Sequence, residues 1–235
     1  HMFQKLNYVR IFLYLSTAFF ILPLLILISL SFNLPDYNDL KDYQPSVMTR
    51  VHNSEGILVK EYSNQYRIFI PINAVPEIIK NAFISAEDKN FYNHIGVDAT
   101  GIARAFINNI KNISSNKRPQ GASTITQQVA KNFLLTDELS LTRKIKEAIL
   151  AIKIELAFSK DRILELYLNQ IYLGSGTYGI AAASNKYFNK PLQDLTFNQA
   201  AYLAALPKAP SNYHPIKNNK NAINRRNWVL KRMYL

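Results

Sequence analysis

Cysteine does not occur in this sequence, and histidine is scarce: four in 235 residues, at His1, His52, His94 and His214. The first absence excludes disulfides, thiolate nucleophiles and zinc or iron centres built on sulfur. The second, with no HExxH motif, leaves little for a histidine-rich metal site or a serine–histidine relay. Acidic residues are also short, 16 against 28 lysines and arginines, for a formal charge of +12. Charged residues make up 19% and hydrophobic ones 48%, which excludes a disordered polyelectrolyte and a multi-pass membrane protein alike and requires a packed core. Chemistry must then rest mainly on carboxylates, lysines and arginines. The length suits one catalytic-size domain plus an anchor.

The charge is unevenly placed. Residues 1–32 carry +2, residues 33–80 carry 5 basic and 6 acidic side chains, and residues 81–235 carry 21 basic and 10 acidic. The last stretch suits an anionic partner: nucleic acid, an anionic bilayer surface or a phosphorylated substrate, unless it is only a basic soluble face.

Ile11 to Phe32 is a run of 22 residues without a charge. At about 1.5 Å per residue it matches the roughly 30 Å hydrocarbon layer, and no small-x-small cleavage site follows it, so it reads as a retained transmembrane helix. Lys5 and Arg10 precede it, and Asp36, Asp39 and Asp42 follow. The positive-inside bias therefore places residues 1–10 in the cytoplasm and residues 33–235 on the outer face. His1 ahead of Met2 is read as a cloning remnant.

Residues 33–73 read as a β-type linker, with short runs VMTRVH, ILVKEY and YRIFIP and a turn at NSEG. From residue 74 onward the periodicity is helical and the core is all-α, with helices expected at roughly 75–86, 99–113, 123–135, 140–158, 160–173, 196–206 and 219–233. Asp98, Ser123, Ser140 and Ser159 stand where N-caps belong, and Thr196 with Gln199 forms a capping box. Residues 114–122 are a loose polar loop, a lid or an idle connector.

Three polar constellations stand out. On helix 123–135, Thr124, Gln127, Gln128 and Lys131 fall in one arc opposite Ile125, Val129 and Phe133, a donor-rich stripe suited to phosphate and sugar oxygens or else an ordinary solvated face. On helix 140–158, Arg143, Lys144 and Glu147 share a face, with Ile145, Ile149, Ile152 and Leu156 expected as the core stripe. Taken alone, that triplet is a surface ion pair. In ISAEDKNFYNHIGVD, Glu87 and Asp88 stand between an apolar helix end and Phe91 and Tyr92. A carboxylate near apolar rings has its pKa raised and can serve as a base, and acids at a helix C-terminus are otherwise disfavoured. GSGTYG satisfies GxGxxG but follows a helix rather than a strand, so it reads as an interhelical turn. SSNK matches SxxK without SDN or KTG, which leaves an acyl-serine enzyme unsupported.

The stretches EDKNFYNHIGVD, GASTITQQVAKNFLL, RKIKEA, KDRILELYLNQIYLG and RRNWVL, in that order, resemble the peptidoglycan glycosyltransferase family, the transglycosylase domain of class A penicillin-binding proteins and monofunctional relatives. VHNSEGILVKEY is closer to the class A branch, in which a transpeptidase domain follows, so the chain is expected to be the N-terminal part of a longer protein. The resemblance implies a lysozyme-like all-α glycosyltransferase domain over 74–235 with a membrane-facing jaw. The implied reaction polymerises lipid II: the 4-hydroxyl of an acceptor attacks the anomeric carbon of the growing chain, and undecaprenyl diphosphate leaves with inversion. Glu87 matches the family's general base and Glu147 its second carboxylate. Lys131, Arg143 and Lys144 match the diphosphate-contacting cations, with Asp88, Thr124, Gln128 and Asn132 beside them. Glu165, Arg225 and Arg226 are expected to brace the site.

The resemblance requires no cofactor. A divalent cation, Mg or Mn, could assist at the diphosphate, but no metal-ligand spacing is present, and the lack of DxD suits a lipid-linked donor. Expected partners are lipid II, the glycan strand, the cytoplasmic membrane and other cell-wall synthesis proteins; moenomycin-type inhibitors should bind at the donor site. Outward placement argues against nucleic acid. The rival readings are a lysozyme-like lytic transglycosylase, which shortens existing strands, and a non-catalytic membrane-tethered module that binds anions.

Overall fold

The computed structural model describes residues 2–32, 34–41, 43, 49–52, 58–62, 66–112, 121–135 and 140–234. The NSEG turn, the SSNK motif and Asp42 lie outside them. Among the described residues there are nine α-helices and four short strands. Helix α1 (Met2–Phe32) carries Pro23 inside it. Strands β1 (Thr49–His52) and β2 (Leu58–Tyr62) pair antiparallel. Then come β3 (Tyr66–Arg67), α2 (Glu77–Glu87), α3 (Ala99–Lys111), α4 (Ile125–Leu134), α5 (Leu141–Ala157), α6 (Lys160–Gln170), β4 (Thr177–Tyr178), α7 (Ile180–Phe188), α8 (Phe197–Ala205) and α9 (Asn219–Tyr234).

Residues 11–32 are helical as expected, within a helix that begins at Met2. Among the described residues no helix is long and apolar enough to cross a membrane, so a span through 11–32 is not shown. Among the described strands the third β-type run does not join the first two. Its β3 pairs in parallel with β4, which lies inside GSGTYG. That segment is therefore a strand rather than only a turn, although it does follow a helix and leads to no dinucleotide site.

The core gathers α2, α4, α6 and α8 around Ile79, Phe83, Ile125, Leu150, Ile163, Tyr167 and Leu203, all buried. Starts of helices follow their caps: Ser140 accepts from Arg143 N at 3.0 Å, and Ser159 from Arg162 N at 3.2 Å. Thr196 and Gln199 form the expected capping box. At α4 the cap is Thr124, one residue after Ser123, with Gln127 completing a second box. Helix α7 is an element the periodicity did not give. It is nine residues rich in alanine, entered through Gly179 at φ 82° without a side-chain cap, and closed by Asn189 in the left-handed conformation.

The expected core stripe of α5 is reversed. Glu147, Leu150, Ala151 and Ile154 are the buried positions, while Leu156 is 79% exposed and Ile152 38%. The buried set repeats at i, i+3, i+4, i+7 and the expected one at i, i+4, i+7, i+11, both helical spacings, so pattern alone could not say which one packs inward.

Buried polar side chains fasten the β-type segment to this core. Asn169 accepts from Ile70 N and donates to Ile70 O, both at 2.8 Å, and Glu165 accepts from Ile72 N at 2.8 Å. Glu165 also pairs with Arg162, so it holds the β-type segment to α6. Gly96, at φ 94°, passes so close to α5 that a Cβ would stand 2.6 Å from the Ala151 carbonyl. Gly96→Ala is therefore expected to cost about 3 kcal/mol, at the large end of single-substitution effects, read as a fall in Tm.

Candidate active site

The C-terminus of α2 meets the N-terminus of α4. Glu87 is the last residue of α2 and Asp88 its C-cap. Asp88 is buried, and its carboxylate accepts the Ile125 backbone N–H at 2.9 Å. An acid misplaced at the end of one helix thus lies at the positive end of another, where the dipole favours it. The second partner of Asp88 is His94 Nε2, 2.9 Å from Oδ2. Because Gly96 N–H donates to His94 Nδ1 at 3.1 Å, Nδ1 is the acceptor and Nε2 carries the proton toward Asp88. Below this pair, Lys160 Nζ donates to the His94 carbonyl and to Glu155 Oε1, both at 2.7 Å, and Thr126 Oγ1 donates to Glu155 at 2.6 Å. Phe91 stacks on Tyr92 and under Lys160.

Glu87 turns from this network toward the α4 surface. It is half-buried, and Gln128 Nε2 donates to its Oε2 at 3.0 Å. Burial is the main cause holding its carboxyl above the ordinary range; the Gln128 hydrogen bond, Arg225 and Lys208 pull the other way, and Asp88 adds to the rise. The field is mutual. Burial and Arg225 lower Lys208, and burial also lowers Arg225 and Arg232, against the pull of Glu87 in all three. Arg225 and Arg232 flank the Trp228 ring at 3.7 and 4.8 Å, and Arg232 donates to the Ser85 carbonyl. The Tyr167 hydroxyl, buried and without a hydrogen-bond partner among the described residues, is raised well above its usual value by burial and by the negative fields of Glu87 and Asp88. Lys208, Arg232 and Tyr167 are neighbours that sequence reasoning missed. Seven basic and no acidic residues over 208–235 were the available signal for the cations.

The second carboxylate lies on α5. Glu147 is 1% exposed, with Lys144 Nζ at 2.5 Å from Oε2 and Arg143 Nε at 3.1 Å from Oε1. The Arg143 contact is close without hydrogen-bond alignment. Lys144 also donates to Ser123 Oγ at 2.7 Å, so the cation pair of α5 reaches the residue just before the α4 cap. Thr124 is buried, accepting from Gln127 N at 3.1 Å and donating to Gly96 O at 2.6 Å. Lys131 and Asn132 are exposed on α4, Lys131 one turn beyond Gln128. The start of α4 therefore lies between the two carboxylates, Glu87 reaching it through Gln128 and Glu147 through Lys144 and Ser123, while Lys131 and Asn132 stand in the last turn of the helix. Thr124 and Asp88 are spent on internal contacts. Arg226 bonds to Asn227 at 2.8 Å.

Among the described residues no group of three or more histidine, aspartate and glutamate side chains is placed to hold a metal ion, and Glu147 is already matched by two cations.

The chain belongs to the transglycosylase family, whose model matches residues 55–234. The match begins inside the β-type linker. Among its relatives, penicillin-binding protein 1A of Rickettsia bellii is 54% identical over 201 residues, covering 86% of this chain and 25% of that protein. Penicillin-binding protein 1A of Aquifex aeolicus is 49% identical over 216 residues, covering 92% and 29%. A crystal structure of penicillin-binding protein 1A from Haemophilus influenzae is 27% identical, covers 81% of this chain and 18% of that one, and gives a TM-score of 0.43. The chain spans about a quarter of the length of the curated relatives it matches. The resemblance drawn from the five motifs is thus shown at the level of family and of a glycosyltransferase domain.

Proposed function

We propose that this domain polymerises lipid II into glycan strands, with Glu87 as the base and the α4–α5 cations as the cradle of the leaving diphosphate. The observation that carries the reading is the placement of Glu87: a half-buried carboxyl raised by burial, oriented by Gln128, and faced by Lys208 and Arg225. Such a group takes a proton from a sugar hydroxyl as the hydroxyl attacks the anomeric carbon, and inversion follows from attack opposite the leaving group. Negative charge developing on the departing diphosphate is met by Lys131, Arg143 and Lys144, of which Arg143 and Lys144 are held by Glu147 before the step begins. Gln128 and Asn132 supply donors beside them. Asp88 and Thr124 act in this reading by holding the start of α4.

The membrane placement belongs to the same proposal. Only Ala105 of α3 is buried, whereas Ile102, Phe106, Ile107 and Ile110 are 47–66% exposed. An uncovered apolar helix flank beside α1 suits a jaw resting on the bilayer that holds a lipid-linked substrate, with the domain on the outer face.

Incubating the protein with lipid II and separating the products tests the reading. Long glycan strands with released undecaprenyl diphosphate are expected. Shortening of pre-formed strands with no use of lipid II would instead establish the lytic alternative. Within this site, Lys131→Ala is expected to weaken binding of a moenomycin-type phosphoglycolipid roughly tenfold or more, because a hydrogen bond to a charged group contributes about 1.5 to 3 kcal/mol. Calorimetric titration of the folded variant checks this, and unchanged affinity removes Lys131 from the donor site.

A further inference from the structure

Among the described residues four side-chain polar atoms are buried without an aligned hydrogen bond: Arg143 Nε, Glu147 Oε1, the Tyr167 hydroxyl and Arg225 Nε. The first two face each other at 3.1 Å, and the Arg225 guanidinium lies over Trp228, 3.7 Å from the ring centroid. The Tyr167 hydroxyl is the uncharged member of the set. Tyr167, on α6, is 1% exposed, and its ring meets Phe83 edge-on at a centroid distance of 6.2 Å. Phe83 stands one turn before Glu87 on α2, so the two share a helix face, and the tyrosine that packs on the first stands near the second. The hydroxyl feels the fields of Glu87 and Asp88 there. A phenylalanine would fill the same space without burying an unpaired hydroxyl, which counts against stability. Packing therefore gives no reason for a tyrosine at this position. The two acids are unequal as partners for it. Both Asp88 oxygens lie within 3.0 Å of His94 Nε2, and Oδ2 also accepts the Ile125 N–H. Glu87 accepts from Gln128 at Oε2, which leaves Oε1 as the atom that a second donor can serve.

We infer that Tyr167 is a positioning residue for the base: its hydroxyl closes onto Glu87 when the acceptor sugar occupies the site and holds the carboxyl through the proton transfer. The inference rests on the glycosyltransferase reading and on Glu87 as its base. Hydrogen bonds of catalytic groups are often unmade in the free enzyme and tighten in the substrate complex. A phenol suits both forms of a carboxyl, because its oxygen donates and accepts. While Glu87 is ionised, the Tyr167 O–H donates to it. As the acceptor oxygen bonds the anomeric carbon, its proton passes to Glu87, and the bond from that carbon to the diphosphate breaks with the electron pair leaving on the diphosphate. The phenol then turns its hydrogen away and accepts from the new carboxylic acid. Tyr167 gains and loses no proton, in keeping with the burial and the two acids that hold it in its protonated form. The surrounding charges set the background for this exchange. On α2, Asp88 opposes ionisation of Glu87, and His94 reaches the pair through Asp88. Lys208, after α8, and Arg225, on α9, favour ionisation, and Arg232 of α9 is drawn to the same carboxylate. Gln128 of α4 is the remaining donor. Loss of the phenol donor therefore makes Glu87 harder to ionise in the complex.

The test is Tyr167→Phe in the full chain, with initial rates on lipid II measured across pH beside thermal melts. The variant is expected to keep or raise its Tm, since it loses an unpaired hydroxyl. At neutral pH kcat should fall about tenfold while KM changes less than about twofold, because the contact forms only as the acceptor reacts. The acidic limb of the kcat profile, which reports groups in the substrate complex, should move to higher pH. Fluorotyrosine at position 167, a stronger donor of nearly the same shape, should move that limb to lower pH, and it carries the comparison if Tyr167→Phe does not fold. In a Glu87→Gln background, adding Tyr167→Phe should cost less than about twofold of the residual rate, since the group it serves is gone. A kcat limb that stays in place in both variants overturns the inference. So does a loss of about tenfold that persists in the Glu87→Gln background, since the hydroxyl would then act elsewhere. If the protein shortens pre-formed strands and does not use lipid II, the same profile is taken on that reaction. A limb that moves there keeps Tyr167 as the positioning residue and removes the polymerase reading. Polymerisation of lipid II with an unmoved limb does the reverse.

Discussion

Glu87→Gln is expected to reduce polymerisation of lipid II by about 10² to 10⁴, the range for loss of a positioned general base, while the melting temperature at neutral pH stays level or rises. The two halves have one cause. Burial keeps the Glu87 carboxyl above its ordinary pKa of 4.5, so the ionised form is less comfortable in the folded protein than in the unfolded chain. A carboxyl raised in this way contributes nothing adverse below pH 4.5, where both states are protonated; the cost appears as pH rises through the raised folded value and persists above it. Glutamine removes that cost and keeps the hydrogen-bonding shape, since its amide oxygen can still accept from Gln128 Nε2. The Tm difference between variant and native protein should accordingly shrink as the pH is lowered toward 4.5. Native activity should fall over the same acidic interval as the base takes up its proton. Thermal melts across pH, beside initial rates with lipid II, measure both. Near-native turnover in a folded Glu87→Gln protein would show that another group removes the proton. Asp88 is the adjacent acid, but it is tied to His94 and to the α4 backbone.

Much of this site could be read before folding because its residues repeat along single elements. Glu87 and Asp88 adjoin in sequence, Gln128 and Lys131 are one turn apart, and Arg143, Lys144 and Glu147 share a helix face. The caps at Ser140, Ser159 and Thr196 were legible for the same reason: a cap is a local hydrogen bond, complete within four residues. What escaped was set by contacts between distant segments. Lys208 and Arg232 approach Glu87 from the α8–α9 end of the chain, where Arg225, expected only as a brace, faces it too, and no spacing rule joins residue 208 to residue 87. Burial of Glu87 was expected from Phe91 and Tyr92, but Phe91 packs with Tyr92, His94 and Lys160, and the field felt beside Glu87 is that at Tyr167. The two apolar stripes of α5 were equally good as core candidates, and the choice was made by Gly96, whose missing Cβ lets the chain close on Ala151. Helix α7 was hidden by its short alanine-rich sequence and its glycine entry, which offer neither a strong apolar stripe nor a capping side chain. The strand in GSGTYG exists because β3 arrives beside it, a partner more than a hundred residues away.

Glu147→Gln is expected to act on stability and on donor binding together, in contrast to Glu87→Gln. The carboxylate is 1% exposed and holds Lys144 at 2.5 Å and Arg143 at 3.1 Å. Removing one partner of a buried ion pair typically costs about 3 to 5 kcal/mol, because the remaining charge is left desolvated. Here that range is a ceiling, since the Lys144 side chain is 47% exposed and can turn to water. Arg143, at 13%, has less freedom, so a lowered Tm is expected, with most of the loss assigned to its uncompensated guanidinium. For substrate, the carboxylate is the anchor that holds two cations at a fixed separation before the diphosphate arrives. Without it the positive charge remains but its positions do not, and preorganisation is what makes such charge effective in the transition state. KM for lipid II should therefore rise about tenfold, with affinity for a phosphoglycolipid inhibitor falling in parallel, whereas Glu87→Gln should leave inhibitor affinity nearly native. Glu147→Asp, which keeps the charge at a shorter reach, should recover more of the Tm than of the affinity. A folded Glu147→Gln protein with native Tm and native inhibitor affinity would mean that Arg143 and Lys144 hold their places without the carboxylate. The diphosphate cradle would then have to be moved to Lys131 and the cations of α9.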